Sequence, residues 1–490
     1  MSICCSSVDV DSSEFDFFEC AALQMLNMKL ARCLLGSVAL LEVLTAGLAH
    51  AGEAPVGILG KEQWLFYRYE MSDNTDEAAT GQTIDLIQRF NRVLAQNDIT
   101  LAVAMVPIKM RIYAEYLPDD VKMSPYMEAN YGRMEHALRQ GGVHVLDLNA
   151  PFLSSPLRNG GTPLFYRLDT HWSLTGAMVA AEAVKAGIEG DSMLKKVYAA
   201  TQQQGYSIAY GKRKIPSAGR DLIGQLPPNS IKFAYEQVTP VSVLRGQPGS
   251  GGLLGSADVA GISVLGSSYS KDWTGFADAL RYVLQRDVLS MGVGADQGSW
   301  IGMESYVRDD AFQTHPPKLL IWEMPERDMK APPDYKYRDA RYQSNNTEWL
   351  LRVSALVQSK CTPSPHTVRI ASMGMAARQA ISKGQSFTSG STAEGEYLEI
   401  EFDRPLESMD YLAARITTNG SRALVVEGVG EGAGHRLTLE VAGDGQPHML
   451  KTPLLFSKGG VSKIRLFPGK TTGFTLESPQ VCRQPENLLK

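Results

Sequence analysis

The sequence lacks three features that would each point to a broad class of protein. It has no clustered basic patch, no long low-complexity tract and no apolar run long enough to span a membrane. Its 48 lysines and arginines are outnumbered by 53 acidic residues, so a nucleic-acid partner, which needs a cationic surface, is not expected. What remains is a globular composition, and a length of 490 residues favours two domains.

The longest apolar stretch lies near the N-terminus and predicts export. Lys29 and Arg32 precede it, Glu42 and glycines interrupt it, and the small-x-small sequence Ala49-His50-Ala51 follows. A spanning helix needs about 20 apolar residues, so the stretch fits a cleaved Sec-type signal peptide better than an anchor. We predict a signal over about 28–51, cut after Ala51, with residues 1–27 a non-native extension and Met28 the true start.

Cysteine is also scarce, with six in the whole chain. Four of them, at positions 4, 5, 20 and 33, lie in or before the predicted signal, which leaves Cys361 and Cys482. Two distant cysteines are too few for a metal site, and no metal or cofactor is predicted. In an oxidising compartment the pair is expected to form a disulfide. Closing a loop of about 120 residues is worth about 4–5 kcal/mol in the chain-entropy model.

Apolar patterning divides the mature chain into two regions. Residues 52–345 alternate helical stretches with continuous apolar runs such as LAVAMV and KLLIWEM, which are typical of strands buried on both faces. We predict an α/β domain with a mostly parallel sheet there. Residues 346–360 read as a connecting helix. Residues 361–490 hold short alternating runs between glycine-containing turns, which predict an all-β sandwich.

One loop of the α/β region carries an acid–base pair. The run LFYRLDTHWSLTGA contains Asp169, His171 and Trp172 within four residues. By itself this loop fits two interpretations, a catalytic pair or a structural histidine hydrogen-bonded to Asp169. Trp172 is expected to be a packing residue.

A second segment, VLGSSYS, supplies a candidate nucleophile. It is an apolar strand that ends at Gly266 and leads through serines into a helix. Such a turn displays a serine near free backbone N–H groups that can hold an oxyanion. The alternative is that Ser267, Ser268 or Ser270 simply caps the helix. Together the two segments predict a triad with Ser268 as nucleophile, His171 as general base and Asp169 orienting the imidazole.

These motifs occur with others in an order that resembles a known family. The matching segments are GKEQWLFYRYE (60–70), LDTHWSLTGA, GRDLIGQLPP (219–228), LGSSYS and LIWEMPERD (320–328). The chain is similar to the AlgX-type alginate O-acetyltransferases, which are periplasmic proteins with an SGNH-hydrolase-like domain and a carbohydrate-binding module.

The resemblance implies that the α/β domain acetylates mannuronate hydroxyls of alginate through Ser268, while the β-sandwich binds the polymer. It also implies an acetyl donor supplied by a membrane acetyltransferase system, and partners among periplasmic and outer-membrane alginate biosynthesis proteins. The chain departs from the family in its cysteines and tryptophans, and it shows no obvious SGNH asparagine block. Its mature part has no cysteines for a second disulfide, and no tryptophan follows Trp349.

Alginate is a polyanion, so cations are expected along its path. The candidates for substrate binding are Arg308, Arg327, Arg378 and Lys383. Two other functions use the same residues differently: a carbohydrate esterase, in which water replaces the sugar, and a non-catalytic alginate-binding scaffold.

Overall fold

In a computed structural model, the α/β region is built around a five-stranded parallel sheet of order β10-β9-β11-β3-β4. The central strands β9, β11 and β3 are apolar and almost wholly buried, because helices cover both faces of the sheet. The sheet strands are β3 (Thr100–Val106), β4 (His144–Asp147), β9 (Ile262–Gly266), β10 (Val288–Gly292) and β11 (Leu319–Pro325). The predicted α/β class with a mostly parallel sheet is confirmed.

The structure describes residues 55–490 except for 229, 247–259, 340–341, 374–380, 384–385, 431–435, 454–459 and 490; for 371–373, 381–383 and 440 it describes the backbone alone. The predicted signal peptide and the extension before it lie outside these residues. Within them, no helix has both the length and the apolar character that crossing a bilayer requires.

Ten α-helices occur among the described residues, and the longer ones flank the sheet. They are α1 (Glu77–Gln96), α2 (Lys109–Ile112), α3 (Pro125–Gln140), α4 (Asn149–Ser154), α5 (Leu174–Gly190), α6 (Ser192–Ala199), α7 (Phe276–Leu284), α8 (Gly298–Arg308), α9 (Asp310–Thr314) and α10 (Asn346–Val357). Two apolar clusters, one on each side of the sheet, join these helices to the strands.

Three short antiparallel strand pairs also occur among the described residues of the α/β region. They are β1 (Gly57–Leu59) with β2 (Leu65–Tyr67), β5 (Tyr206–Tyr210) with β8 (Val241–Arg245), and β6 (Ile215–Pro216) with β7 (Gln237–Val238). Strand β2 lies beside the loop that holds Asp169, because the Leu65 N–H donates to the Arg167 carbonyl at 2.8 Å.

The C-terminal region consists of two five-stranded antiparallel sheets, of order β12-β15-β20-β17-β18 and β13-β14-β21-β16-β19. Their inner faces share one apolar cluster, as a β-sandwich requires, and the predicted all-β class is confirmed. The strands are β12 (Val368–Met373), β13 (Ile381–Lys383), β14 (Ser386–Ser389), β15 (Leu398–Leu406), β16 (Asp410–Asn419), β17 (Ala423–Gly430), β18 (Arg436–Glu440), β19 (Asp444–Pro453), β20 (Val461–Phe467) and β21 (Gly473–Arg483).

A disulfide and a buried helix join the sandwich to the chain before it. Cys361 and Cys482 are bonded, with their Cα atoms 5.2 Å apart, as predicted. Helix α10, expected as a connector, is buried in the apolar cluster of the α/β region through Trp349 and Leu350. At its end, the Lys451 ammonium from β19 donates to the Leu356 and Gln358 carbonyls.

Candidate active site

Ser268 lies where β9 ends at the carboxyl edge of the parallel sheet. A single 3-10 turn, Ser268–Ser270, follows the strand, and Ser267 caps it by accepting the Tyr269 N–H at 3.2 Å. The capping interpretation of the serines therefore applies to Ser267, and Ser268 is left facing the site. Among the described residues, the Ser268 N–H has no hydrogen-bond acceptor.

The structure brings the three predicted side chains into one hydrogen-bonded row. His171 Nε2 lies 2.8 Å from Ser268 Oγ, and His171 Nδ1 lies 2.6 Å from Asp169 Oδ1. The carboxylate fixes the proton on Nδ1, so Nε2 is the acceptor for the serine hydroxyl. Ser268 and His171 are each less than a tenth exposed, so water weakens these contacts little.

Asp169 is held in its ionised form by the groups around it. Burial opposes the charge, but the hydrogen bond and the charge of His171, together with the backbone N–H groups of Asp221 and His171, hold the pKa of Asp169 below its ordinary value. Asp221 is a second carboxylate at the row, 3.6 Å from His171 Nδ1. It accepts the N–H and hydroxyl of Thr170, and burial and the charge of Asp169 raise its pKa.

Lys109 supports the Asp–His loop, residues 164–173, from beneath. This lysine is fully buried, and its ammonium donates to the carbonyls of Leu65, Tyr166, Arg167 and Asp169 at 2.7–3.0 Å. Burial lowers the pKa of Lys109 to about 8, against the attraction of nearby carboxylates. One buried cation thus gathers three carbonyls of the Asp–His loop and one from β2.

Glu323 supports the serine loop, residues 266–271, by accepting hydrogen bonds, whereas Lys109 donates them. This fully buried carboxylate on β11 accepts the Ser267 N–H at 2.8 Å, the Ser267 hydroxyl at 3.0 Å and the Ser270 hydroxyl at 2.9 Å. Burial raises the pKa of Glu323 to about 7. Gly266 is required here, since a Cβ atom would lie 2.2 Å from Glu323 Oε2.

Aromatic rings surround the row. Trp172 is fully buried and packs on Tyr269 and Phe276, as predicted. Trp273 is 45% exposed, and its ring centroid lies 4.8 Å from that of His171. An accessible indole therefore forms part of the rim beside the imidazole.

The structure describes the side chains of two of the four predicted cations, Arg327 and Arg308. Arg327 lies close to the row: its guanidinium carbon is 5.4 Å from the Tyr269 ring centroid, and it is mostly buried. Arg308 is paired with Glu304 at 2.9 Å near the end of α8. Lys383 ends β13, where the backbone alone is described, and Arg378 lies outside the described residues.

A cation site at the row would compete with the hydrogen bonds already made. Among the described residues, Asp169, His171 and Asp221 form the one cluster whose ligand atoms lie within 4.8 Å of one another. Both imidazole nitrogens of His171 are engaged, by Asp169 and by Ser268. Because a metal would need one of those nitrogens, the arrangement fits proton transfer better than coordination.

More than half of the chain matches one protein family. Residues 58–326 match the family described as SGNH hydrolase-like domain, acetyltransferase AlgX. The chain belongs to this family. The region matched by the AlgX acetyltransferase family includes the Asp–His loop, the serine loop and β11, and so holds every residue of the row and both supporting charges.

Individual relatives agree with the family. The probable alginate O-acetylase AlgJ of Pseudomonas syringae pv. tomato is 30% identical over 298 residues, which cover 59% of this chain and 73% of that protein. The alginate biosynthesis protein AlgX of the same organism is 31% identical over 203 residues, covering 40% and 39%.

Two solved structures share the fold. The O-acetyltransferase domain of Pseudomonas putida AlgJ aligns with a TM-score of 0.51 and 25% identity over 63% of this chain and all of that one. Pseudomonas aeruginosa AlgX aligns with a TM-score of 0.57 and 17% identity, over 88% and 95%. At that identity the second likeness shows the fold alone.

Four residues around the row were missed from the sequence. Glu323 had a visible signal, since it is a carboxylate inside the apolar run KLLIWEMP. Lys109 and Trp273 follow the ends of strands in the sequence. Many surface residues do so too, and this position alone therefore did not identify them. Asp221 lies in a motif shared with the family, but nothing in the spacing indicates that it returns to His171.

Proposed function

We propose that this protein is a periplasmic alginate O-acetyltransferase that carries the acetyl group on Ser268 and passes it to mannuronate hydroxyls. The observation that supports this most is the buried row of Ser268, His171 and Asp169 in a chain whose relatives include proteins named probable alginate O-acetylase. A serine, a base and an orienting carboxylate are the parts that acyl transfer through a covalent intermediate requires.

In the first step, Ser268 Oγ attacks the acetyl carbonyl carbon while its proton moves to His171 Nε2. The bond from that carbon to the donor's leaving group then breaks, and His171 returns the proton to the leaving group. Asp169 accepts the Nδ1–H throughout and stabilises the imidazolium that forms transiently. The product of this step is an acetyl ester on Ser268.

In the second step, a mannuronate hydroxyl attacks the ester carbon and gives its proton to His171 Nε2. The bond to Ser268 Oγ breaks, and the proton passes back to the serine. Both tetrahedral intermediates carry a negative oxygen, for which the free Ser268 N–H is one donor. A donor of this kind is typically worth about 3 kcal/mol.

The rim supplies a surface for the acceptor sugar. The exposed Trp273 indole offers an apolar face next to His171, and pyranose rings stack on such faces. A sugar held against this ring would present its hydroxyls to the imidazole, which favours a sugar over water as acceptor.

Export to the periplasm fits the predicted signal peptide and the disulfide between Cys361 and Cys482. In that compartment the acetyl group would come from a donor handed over by a membrane acetyltransferase system, and the product polymer would continue to the other proteins of alginate biosynthesis and export.

The direct test incubates the protein with an acetyl ester and mannuronate oligomers. Wild-type protein should produce acetylated oligomers, and Ser268→Ala should lower the rate by a factor of at least about 10³, since a triad without its nucleophile loses most of its catalysis. Ser154→Ala, at the exposed end of α4, is the control. Free acetate without acetylated sugar would indicate an esterase, and full transfer by Ser268→Ala would contradict the proposal.

A further inference from the structure

A cavity of about 240 Å³ lies at the N-terminus of α8. It has room for one pyranose ring. Its lining includes Ser299, Arg338, Asp296 and the rings of Tyr335 and Tyr337. None of these residues takes part in the hydrogen-bonded row of the candidate active site.

The cavity carries polar groups whose hydrogen bonds are not made within the described part of the chain. Ser299 is 3% exposed, and its hydroxyl has no partner there. The buried Nε of Arg338 likewise has none. The other guanidinium nitrogens of Arg338 donate to the carbonyls of Gln297, Ala331 and Pro332. An unpartnered buried polar group calls for an explanation, and two such groups lining one cavity are explained by a polar ligand bound there.

The start of α8 adds a backbone donor to the same place. No side chain caps the helix. The Gly298 N–H donates to the Gly294 carbonyl, but the N–H of the next lining residue, Ser299, has no acceptor among the described residues, and it lies at the positive end of the helix dipole. Gly298 begins the helix with φ +72°, and a Cβ atom there would lie 2.2 Å from Arg338 Nη1. The glycine thus lets the guanidinium approach the helix start closely.

These donors suit a carboxylate, and the rest of the lining suits a sugar. Three carboxylates, those of Asp296, Asp328 and Asp339, also line the cavity. They repel a multivalent anion such as phosphate more strongly than a single carboxylate held by Arg338, and they accept hydrogen bonds from hydroxyl groups. Tyr337 is 73% exposed and packs on Tyr335, which gives an aromatic surface at the opening. A ring with one carboxylate and several hydroxyls matches all of these groups.

The cavity lies next to the serine loop. A Cβ atom on Gly294 would lie 2.5 Å from Asp296 Oδ1 of the cavity and 3.6 Å from Nζ of Lys271, which ends that loop. The chain reaches Gly294 directly from Val293, whose N–H donates to the Gly266 carbonyl at 3.1 Å. The cavity is therefore a near neighbour of the serine loop that carries Ser268.

We propose that the α8 cavity binds the carboxylate of a uronate residue in the acceptor polymer, at a distance from the residue that is acetylated. The carboxylate accepts from the Ser299 hydroxyl, from Arg338 Nε and from the Ser299 N–H. The inference rests on the proposed function for its choice of sugar.

The first test measures binding of mannuronate oligomers in the Ser268→Ala background, where no turnover occurs. Adding Ser299→Ala should raise Kd about tenfold, since it removes a hydrogen bond to a charged group. Ser305→Ala, an exposed serine on the same helix, should leave Kd unchanged. Neutral mannose oligomers should bind weakly to each of these proteins. Equal Kd values for the Ser299→Ala and Ser305→Ala proteins would overturn the proposal.

The second test separates the cavity from the chemistry. With a small acetyl ester, Ser299→Ala alone should acylate Ser268 at the wild-type rate and keep a Tm no lower than that of the wild type, because the Ser299 hydroxyl has no hydrogen-bond partner among the described residues. With oligomers as acceptor, its KM should rise about tenfold at unchanged kcat. Slower acylation of Ser268 would mean that Ser299 supports the fold of the site, and would overturn the assignment. If neither the wild type nor the variant transfers acetyl to the sugar, the proposed function is wrong. The binding test would still show whether the cavity binds a uronate.

Discussion

The two loops that meet at the candidate active site are held by buried charges of opposite sign. Beneath the Asp–His loop, the Lys109 ammonium gathers backbone carbonyls. Beneath the serine loop, the Glu323 carboxylate gathers a backbone N–H and two hydroxyls. Each charge is fully buried, and each is matched to the kind of backbone group that its loop turns inward.

This difference in charge leaves a different group of each loop available for catalysis. The Asp–His loop turns its carbonyls toward Lys109 and leaves the Asp169 carboxylate to His171. The serine loop binds through the N–H of Ser267, which leaves the N–H of Ser268 free for an oxyanion. Buried charges are costly unless they are hydrogen-bonded, so removing either one should disturb its own loop first.

The largest effect is expected for Lys109→Met, which removes the cation under the Asp–His loop. The variant leaves four carbonyls without their donor, and the free energy of unfolding should fall by about 3–5 kcal/mol, as when one partner of a buried charged pair is lost. Denaturant unfolding measures this. At denaturant concentrations below the unfolding midpoint, where the variant is still folded, transfer to mannuronate oligomers should also be slower than in the wild type. The reason is that Asp169 is no longer positioned.

Lys451→Met is the matched control for that variant. Lys451 is the other lysine whose pKa burial lowers to about 8 among the described residues, and it caps α10 by donating to its terminal carbonyls. It should lose stability while keeping the wild-type rate of Ser268 acylation in the folded protein. Equal losses of acylation in both variants would mean that Lys109 has no special role at the site.

The next effect is the pH dependence that Glu323 gives to stability. Its pKa is raised from 4.5 in the unfolded chain to about 7 in the fold. Between those values the folded protein holds a proton that the unfolded chain has released, so stability falls as pH rises through this window and changes no further above it. The shift corresponds to about 3 kcal/mol.

Glu323→Gln removes this titration and isolates it. The free energy of unfolding of the wild type minus that of the variant should decrease by about 3 kcal/mol between pH 4 and pH 8. Other titrating groups are common to both proteins and cancel in the difference. A difference independent of pH would show that Glu323 does not change its charge in this range.

The smallest effect is expected for Ser270→Ala, which removes one of the donors to Glu323. At pH 8, where the carboxylate is charged, the loss should be about 1.5 kcal/mol, and it should be smaller at pH 5. Ser290→Ala is the control, since its hydroxyl donates at 3.3 Å to the Ser270 carbonyl and to no titrating group. Its effect should be the same at both pH values.

The sequence was sufficient to predict the fold class and the row of three side chains. Continuous apolar runs identified β3 and β11, and short alternating runs identified the sandwich. Asp169 and His171 are two residues apart, so a single loop carries both, and the Gly-x-Ser turn indicated Ser268. The paired cysteines followed from their scarcity.

The supporting groups could not be predicted in the same way. Lys109 and Glu323 act through burial, and burial of a charged residue depends on which elements pack around it. Asp221 reaches His171 across 50 residues of chain. Residues 346–360 were predicted as a connecting helix, but the sequence did not show that Trp349 of α10 would lie in the apolar cluster beside the sheet. Arg308 was predicted to bind the polymer, but it forms an ion pair with Glu304, one helical turn earlier.

The most direct test of acyl transfer through Ser268 is a pulse and chase followed by peptide mass spectrometry. The protein is treated with an acetyl ester, and one portion is then exposed to mannuronate oligomers before digestion. We predict one acetyl group on the peptide that contains Ser268, lost during the chase as the same group appears on the oligomer. Acetylated oligomer formed while Ser268 never carries the label would contradict the mechanism.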